Sequence, residues 1–284
     1  MLRKYAFAII LCLPFWGIKA QYVDSLSLQL QSLRKKSLFS EGDDQKNQFN
    51  AQFSKLIFES IKDNRAFIID SISNFGLIES SDKKLRLWCW NISFSDQTFH
   101  YNCILGFKKG IDWIHYNLND VSHRVEKPQQ YLGTSSAWYG SLYYEIIAFG
   151  KKSENQYLLL GWDGNDRFST MKVVDVLSID QEGIPHFGKR VFNTPWESNV
   201  RIVFEYSSEA VMSLRYYEKK EWLVFDHLSP LQPNMEGMYD YYVPDLSFDA
   251  LQFRKDKWYF IQNVDVRGDQ TMEGYNAPPE SPIK

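Results

Sequence analysis

Trp162-Asp163-Gly164-Asn165-Asp166 is the most distinctive polar run in the chain. Side-chain oxygens at alternating positions suit a hard cation such as calcium, which takes six to eight oxygen ligands. The next residues, Arg167-Phe168-Ser169, supply neither the later Gly nor the bidentate Glu of a helix-loop-helix calcium site, and Arg167 sets a positive charge beside it. A turn joining two strands uses Asp, Gly and Asn for their own local reasons, and that reading is preferred. No metal is expected here. Asp226-His227 closes the apolar run Trp222-Leu223-Val224-Phe225, and Asp245 and Asp249 lie on the next elements. An Asp beside a His at a strand end has the makings of an acid/base pair. Two carboxylates about 5–10 Å apart in one cleft would have the spacing for cutting a glycosidic bond. The candidates for such a pair are Asp163, Asp166, Asp226 and Asp249, against the plainer reading that they cap turns and solvate the surface.

Other chemistry has little support. His100, His115, His123 and His186 show no metal-binding spacing, and the cysteines have no zinc-finger spacing. The chain has no phosphate-binding glycine loop, no dinucleotide fingerprint and no nucleophile elbow. No cofactor is therefore expected.

Aromatic content is the outlier, with 20 Phe, 17 Tyr and 9 Trp making 16% of residues. Flat rings stack on the apolar faces of sugars, and Tyr and Trp keep a polar edge for hydrogen bonding. Tyr131, Trp138, Tyr139, Tyr143 and Tyr144 cluster around Gly133-Thr134-Ser135-Ser136-Ala137 and form the expected ligand-binding surface. A second group, Tyr239, Tyr241 and Tyr242, precedes Pro244. The competing reading is that strand proteins spend such rings on their cores.

These residues need elements to position them. From Tyr22 to about Lys62 apolar residues recur at three- and four-residue spacing, with Leu26, Leu30 and Leu33 in one stripe and Phe49, Phe53, Leu56, Ile57 and Ile61 in another. That predicts two antiparallel helices broken at Glu41-Gly42, with Asp43-Asp44 as an acidic N-cap of the second. After residue 85, short alternating or aromatic and β-branched runs succeed one another at 85–94, 98–107, 111–118, 141–149, 156–162, 171–179, 200–206, 210–217, 221–227, 248–253 and 257–263. Turn signals separate many of them, and helical patterns do not intervene. The predicted fold is mainly β, an antiparallel sandwich, barrel or small propeller, with an N-terminal helical hairpin. Domain boundaries are expected at 1–20, 21–65, 66–267 and a disordered tail at 268–284.

Cys89 and Cys103 flank a hairpin signal, Ser95-Asp96-Gln97, between two aromatic-rich arms. A three-residue loop centred on Asp96 pairs 89 directly with 103, close enough for a disulfide if that pair is non-hydrogen-bonded, with two buried free thiols as the alternative. That bond would close a loop of roughly 15 residues and contribute about 3 kcal/mol.

Met1 to Ala20 carries Arg3 and Lys4 ahead of an apolar stretch ending in a small residue, the pattern of a signal peptide cleaved near Ala20. Export to the periplasm or beyond is expected, with no transmembrane segment in the mature chain. The whole chain has 284 residues, with 32 Lys+Arg against 35 Asp+Glu. Because the leader holds three of the basic residues and no acid, its loss moves the formal charge from -3 to -6. Such a chain has no general attraction for phosphate backbones, so nucleic acid is not an expected partner.

The run Tyr157-Leu158-Leu159-Leu160-Gly161-Trp162-Asp163-Gly164-Asn165, with Lys172–Leu177, Arg201–Tyr206 and Val224–Leu228 after it, resembles exported β-rich bacterial proteins over about residues 80–265. That resemblance implies no activity. Two functions are compatible with the sequence: a non-catalytic exported protein that engages a glycan or a cell-envelope protein through aromatic residues, and a carbohydrate-active hydrolase built on the four aspartates.

Overall fold

The computed structural model describes residues 15–63, 72–151, 154–196 and 199–266. Most of the expected leader, the boundary at 65–66 and the tail at 268–284 lie outside the described residues. The chain divides into two compact units, Met1–Phe75 and Gly76–Lys284.

The first unit is an α-helical pair, α1 (Phe15–Phe39) and α2 (Asp43–Lys62). Leu26, Leu30 and Leu33 of α1 and Phe53, Ile57 and Ile61 of α2 are buried, as their spacing predicts. Gly42, in extended conformation, is the N-cap of α2, so Asp43 and Asp44 sit one step later, in the first turn. There their charges favour the partial positive charge of the helix start. Arg34 is buried and donates to the Asn74 carbonyl from Nε and Nη2. Burial lowers its pKa to about 10.

The second unit is built of strands. A four-stranded antiparallel sheet contains β1 (Gly76–Glu79), β2 (Leu85–Ser93), β3 (Phe99–Lys109) and β4 (Asp112–Leu118), in that order. A middle sheet runs β5 (Gly133–Thr134), β9 (Pro185–Phe187), β8 (Ser169–Ile179), β7 (Gln156–Asp163) and β6 (Leu142–Phe149), and β11 (Ile202–Ser207) also pairs with β8. The third sheet is ordered β10 (Phe192–Asn193), β15 (Lys257–Ile261), β14 (Tyr242–Arg254), β13 (Trp222–Pro230) and β12 (Leu214–Tyr217). Its β10–β15 pairing is parallel, so this sheet is mixed.

The middle sheet is buried on both faces. Tyr157, Leu159 and Leu177 pack with Leu85, Leu105 and Phe107 of the first sheet. Their neighbours Leu158, Leu160, Val174 and Val176 point the other way, onto Leu223, Phe225 and Leu251 of the third. Successive strand residues face opposite sides, so a strand covered on both sides must be apolar throughout, as Tyr157–Leu160 is. The architecture is a layered sandwich.

Cys89 and Cys103 are cross-strand partners, in the register the three-residue loop requires. Asp96 Oδ1 accepts from the Thr98 amide at 3.0 Å and hydroxyl at 2.6 Å, and Gln97 takes the left-handed position that ends such a loop, at φ 67°. The expected disulfide is nevertheless not formed: both residues are free, buried thiols with sulfurs 3.0 Å apart. That is well beyond the roughly 2.05 Å of a bond.

Candidate functional site

At one end of the second unit, residues of all three sheets line a cavity of about 930 Å³. Its aromatic wall is assembled from separated segments. Trp196 lies 5.0 Å from Phe260 and 6.3 Å from Phe204 between ring centroids, and Phe204 lies 4.6 Å from Phe225. Phe99, Tyr101 and Tyr139 line another part, and Tyr239 and Tyr242, 5.1 Å apart, line a third. Trp196 and Tyr239 are 41% and 51% exposed, so both keep a face open to a ligand.

Six carboxylates line the same cavity: Glu126, Asp163, Asp166, Glu205, Asp226 and Asp249. His123 and His227 join them, and among the described residues no Lys or Arg does. All four aspartates proposed from sequence as an acid/base source therefore share one cavity.

Each carboxylate has a local task. Asp163, buried at the end of β7, accepts from the Tyr101 and Tyr139 hydroxyls at 2.8 and 3.0 Å and from the Asn165 amide at 2.8 Å. Burial raises its pKa although those three donors oppose the shift. The two phenols are pushed up in turn, by burial and then by the Asp163 charge. Asp166 Oδ1 accepts from the Phe168 and Ser169 amides and so caps the turn into β8. The Asp163–Asp166 run is thus a strand-joining turn. Among the described residues no group of three His, Cys, Asp or Glu side chains has the geometry to hold a metal ion.

Ser169 connects that turn to β11, accepting from Asn165 Nδ2 and donating to Glu205 Oε1, both at 2.7 Å. Asp120, also buried, accepts from the Tyr101, Ser122 and Gly140 amides and fixes the loop beside Tyr101 and Tyr139. Gly140 is needed there, because a Cβ would stand 2.3 Å from Asp120 Oδ1.

His227 pairs with a different aspartate from its sequence neighbour. Asp226 Oδ2 accepts from the Ser213 amide at 2.7 Å, and burial raises its pKa. His227 Nδ1 instead meets Asp249 Oδ2 at 2.7 Å, while Asp249 Oδ1 accepts from the Asn263 amide at 2.9 Å. A bulge lies beside this pair. Asp226 pairs with Phe248 and Leu228 with Pro244, so Asp245, Leu246 and Ser247 oppose His227 alone. Leu246 takes φ 72° inside the bulge. Bulges of this kind re-aim a side chain.

No family model, curated protein or solved structure matches the chain. The site is read from its own geometry.

The aromatic group expected around Gly133 has a different environment. Trp138 and Tyr143 are buried in the core between the first and middle sheets, and the indole Nε1 donates to the Tyr143 hydroxyl at 3.0 Å. Tyr131 is half-buried and its hydroxyl donates to the Ala137 carbonyl at 3.1 Å. Tyr144 is 37% exposed and donates to the Leu214 carbonyl. Of the five, Tyr139 alone lines the cavity, and it is buried. Sequence reasoning did not single out Phe99, Trp196, Phe204, Glu205, Phe225 or Phe260. Their signal was faint: Pro195-Trp196 sits in a loop, and Phe204-Glu205 alternates on a strand with one wet face.

Proposed function

We propose that this chain is an exported binding protein whose cavity takes an oligosaccharide. One observation carries the reading: aromatic faces and hydrogen-bond acceptors converge on a single space of about 930 Å³. Natural small-ligand pockets fall in the range of roughly 300–1,000 Å³ and combine those two kinds of group. Pyranose C–H faces would stack on Trp196 and the Phe204–Phe225 wall, while ring hydroxyls would donate to Glu205, Asp166 and Asp226. Export rests on the Met1–Ala20 pattern, and oxidation of the Cys89–Cys103 pair in that compartment belongs to the same reading. Among the described residues no helix is long and apolar enough to cross a membrane.

Calorimetric titration with neutral and charged oligosaccharides tests this. Binding that Trp196→Ala weakens about tenfold or more, with the melting temperature unchanged, is the expected result. Absence of binding across sugars would discard it and leave a cell-envelope protein as the partner to seek.

The convergence of Asp163, Asp166, Asp226 and Asp249 favours a second reading, a glycoside hydrolase. Asp226 is the best acid in that scheme, since burial raises its pKa. Asp163 and Asp249 already accept two or more hydrogen bonds from the protein, which leaves them less free to handle a substrate proton. Product analysis after long incubation separates the two readings: cleavage abolished by Asp226→Asn would establish the hydrolase.

A further inference from the structure

We propose that the ligand of this cavity is cationic, an amino sugar carrying a free, protonated amine. This rests on the reading of the cavity as a sugar site and adds the charge of the sugar. Carboxylates line the space without a Lys or Arg among the described residues that line it. A cleft of one sign with low-dielectric walls focuses its field and attracts the opposite charge.

Three of these carboxylates hold acceptor capacity in reserve. Glu205 accepts from Ser169 through Oε1, Asp166 from two amides through Oδ1, and Asp226 from Ser213 through Oδ2. In each, the second oxygen carries no hydrogen bond from a described residue, and none of the three makes an ion pair with a described Lys or Arg. An ammonium group brings three donors to such oxygens, and hydrogen bonds to charged groups are the strong ones. The walls agree with this choice. Ring faces attract cations as well as sugar C–H groups, so the Trp196 and Phe204 side chains serve both halves of an amino sugar. An N-acetylated sugar would stack equally but would bring no ammonium group to these oxygens. A uronic acid would be repelled.

The test is calorimetry on the full chain at about pH 6, where a sugar amine is largely protonated and ordinary carboxylates are ionised. The probes are glucosamine, N-acetylglucosamine and galacturonic acid oligosaccharides of equal length. The glucosamine oligomer should bind about tenfold or more tighter than the acetylated one, an advantage that shrinks with added salt. Glu205→Gln and Asp166→Asn, each checked by thermal melt, should remove most of that preference. Either variant suffices if the other does not fold. Equal binding of the acetylated oligomer, lost in Trp196→Ala, would overturn the charge inference and leave the sugar site standing. Tighter binding of the uronic acid oligomer would overturn it too. Binding of none of the three would overturn the sugar site, and the charge inference with it.

Discussion

His227 and Asp249 meet across β13 and β14 beside a bulge at which three residues, Asp245 to Ser247, oppose His227 alone. At 2.7 Å the imidazole Nδ1–H donates to the carboxylate, so the neutral ring keeps Nε2 as its acceptor. Asp249→Asn should remove that preference. The check is the imidazole nitrogen chemical shift of His227 by NMR: the wild type shows Nδ1 protonated, and the variant a mixture of tautomers. Unchanged nitrogen shifts in the variant would mean that the pairing does not orient the ring.

Cys89 and Cys103 make a second cross-strand pair, with sulfurs 3.0 Å apart. Burial raises the Cys103 pKa well above its ordinary value, so the native pair should react slowly with alkylating reagents. Refolding under a disulfide oxidant should lower the intact mass by about 2 Da and add about 3 kcal/mol to unfolding stability. Mass spectrometry with and without reductant, then urea melts, reads both quantities. Two alkylated thiols after oxidative refolding would show that the backbone keeps the sulfurs too far apart to bond.

Asp163 should make stability depend on pH in a definite direction. Its folded pKa is raised, chiefly by burial. Its contribution is therefore fully present below the ordinary Asp value and is lost as pH rises through the raised folded value. Asp163→Asn removes that contribution and leaves one oxygen acceptor for the two tyrosines. The variant should be destabilised by about 1–3 kcal/mol at low pH, and by less at neutral pH. Paired denaturant melts at about pH 3 and pH 7 check the sign. A destabilisation that grows with pH would contradict the raised pKa.

The strands were legible because alternation and β-branched runs need no knowledge of the tertiary fold. The helical pair was legible for the same reason, through the spacing of Leu26, Leu30, Phe53 and Ile57. Gly133–Thr134, Pro185–Phe187 and Phe192–Asn193 are too short to show a period, and Pro244 hid the first half of β14. The stacking of three sheets was not legible, since Leu158-Leu159-Leu160 reads as a buried strand without saying what covers each face. At the site, Asp163, Asp166, Asp226 and Asp249 stood out by residue type and do share the cavity. Local density of rings drew attention to Trp138 and Tyr143, which the fold uses between sheets. The cavity wall comes from Trp196, Phe204, Phe225 and Phe260, each on a separate segment, and only the packing of β11 near the third sheet brings them together. The partner of His227 lies on another strand, in a register that no spacing rule supplies.

Arg201 and Asp175 are both fully buried and paired at 2.9 Å, and Arg201 also bonds the loop beside the cavity. Arg201 Nη1 donates to the Pro128 and Tyr131 carbonyls at 2.7 and 3.3 Å. Asp175 Oδ2 also accepts from the Tyr143 hydroxyl at 3.0 Å, and Oδ1 accepts from the Val176 amide. Arg201 stacks over Tyr139 at 5.0 Å, which ties the network to a cavity residue. Removing one member leaves the other charge buried and uncompensated. Arg201→Met and Asp175→Asn should each cost about 3–5 kcal/mol, and the double variant distinctly less than their sum. Arg201→Lys should recover little, because an ammonium cannot span the aspartate and two carbonyls as the guanidinium does. Urea melts of the four variants give the coupling energy directly. Additive losses would mean that the pair is held by the surrounding strands and holds nothing itself.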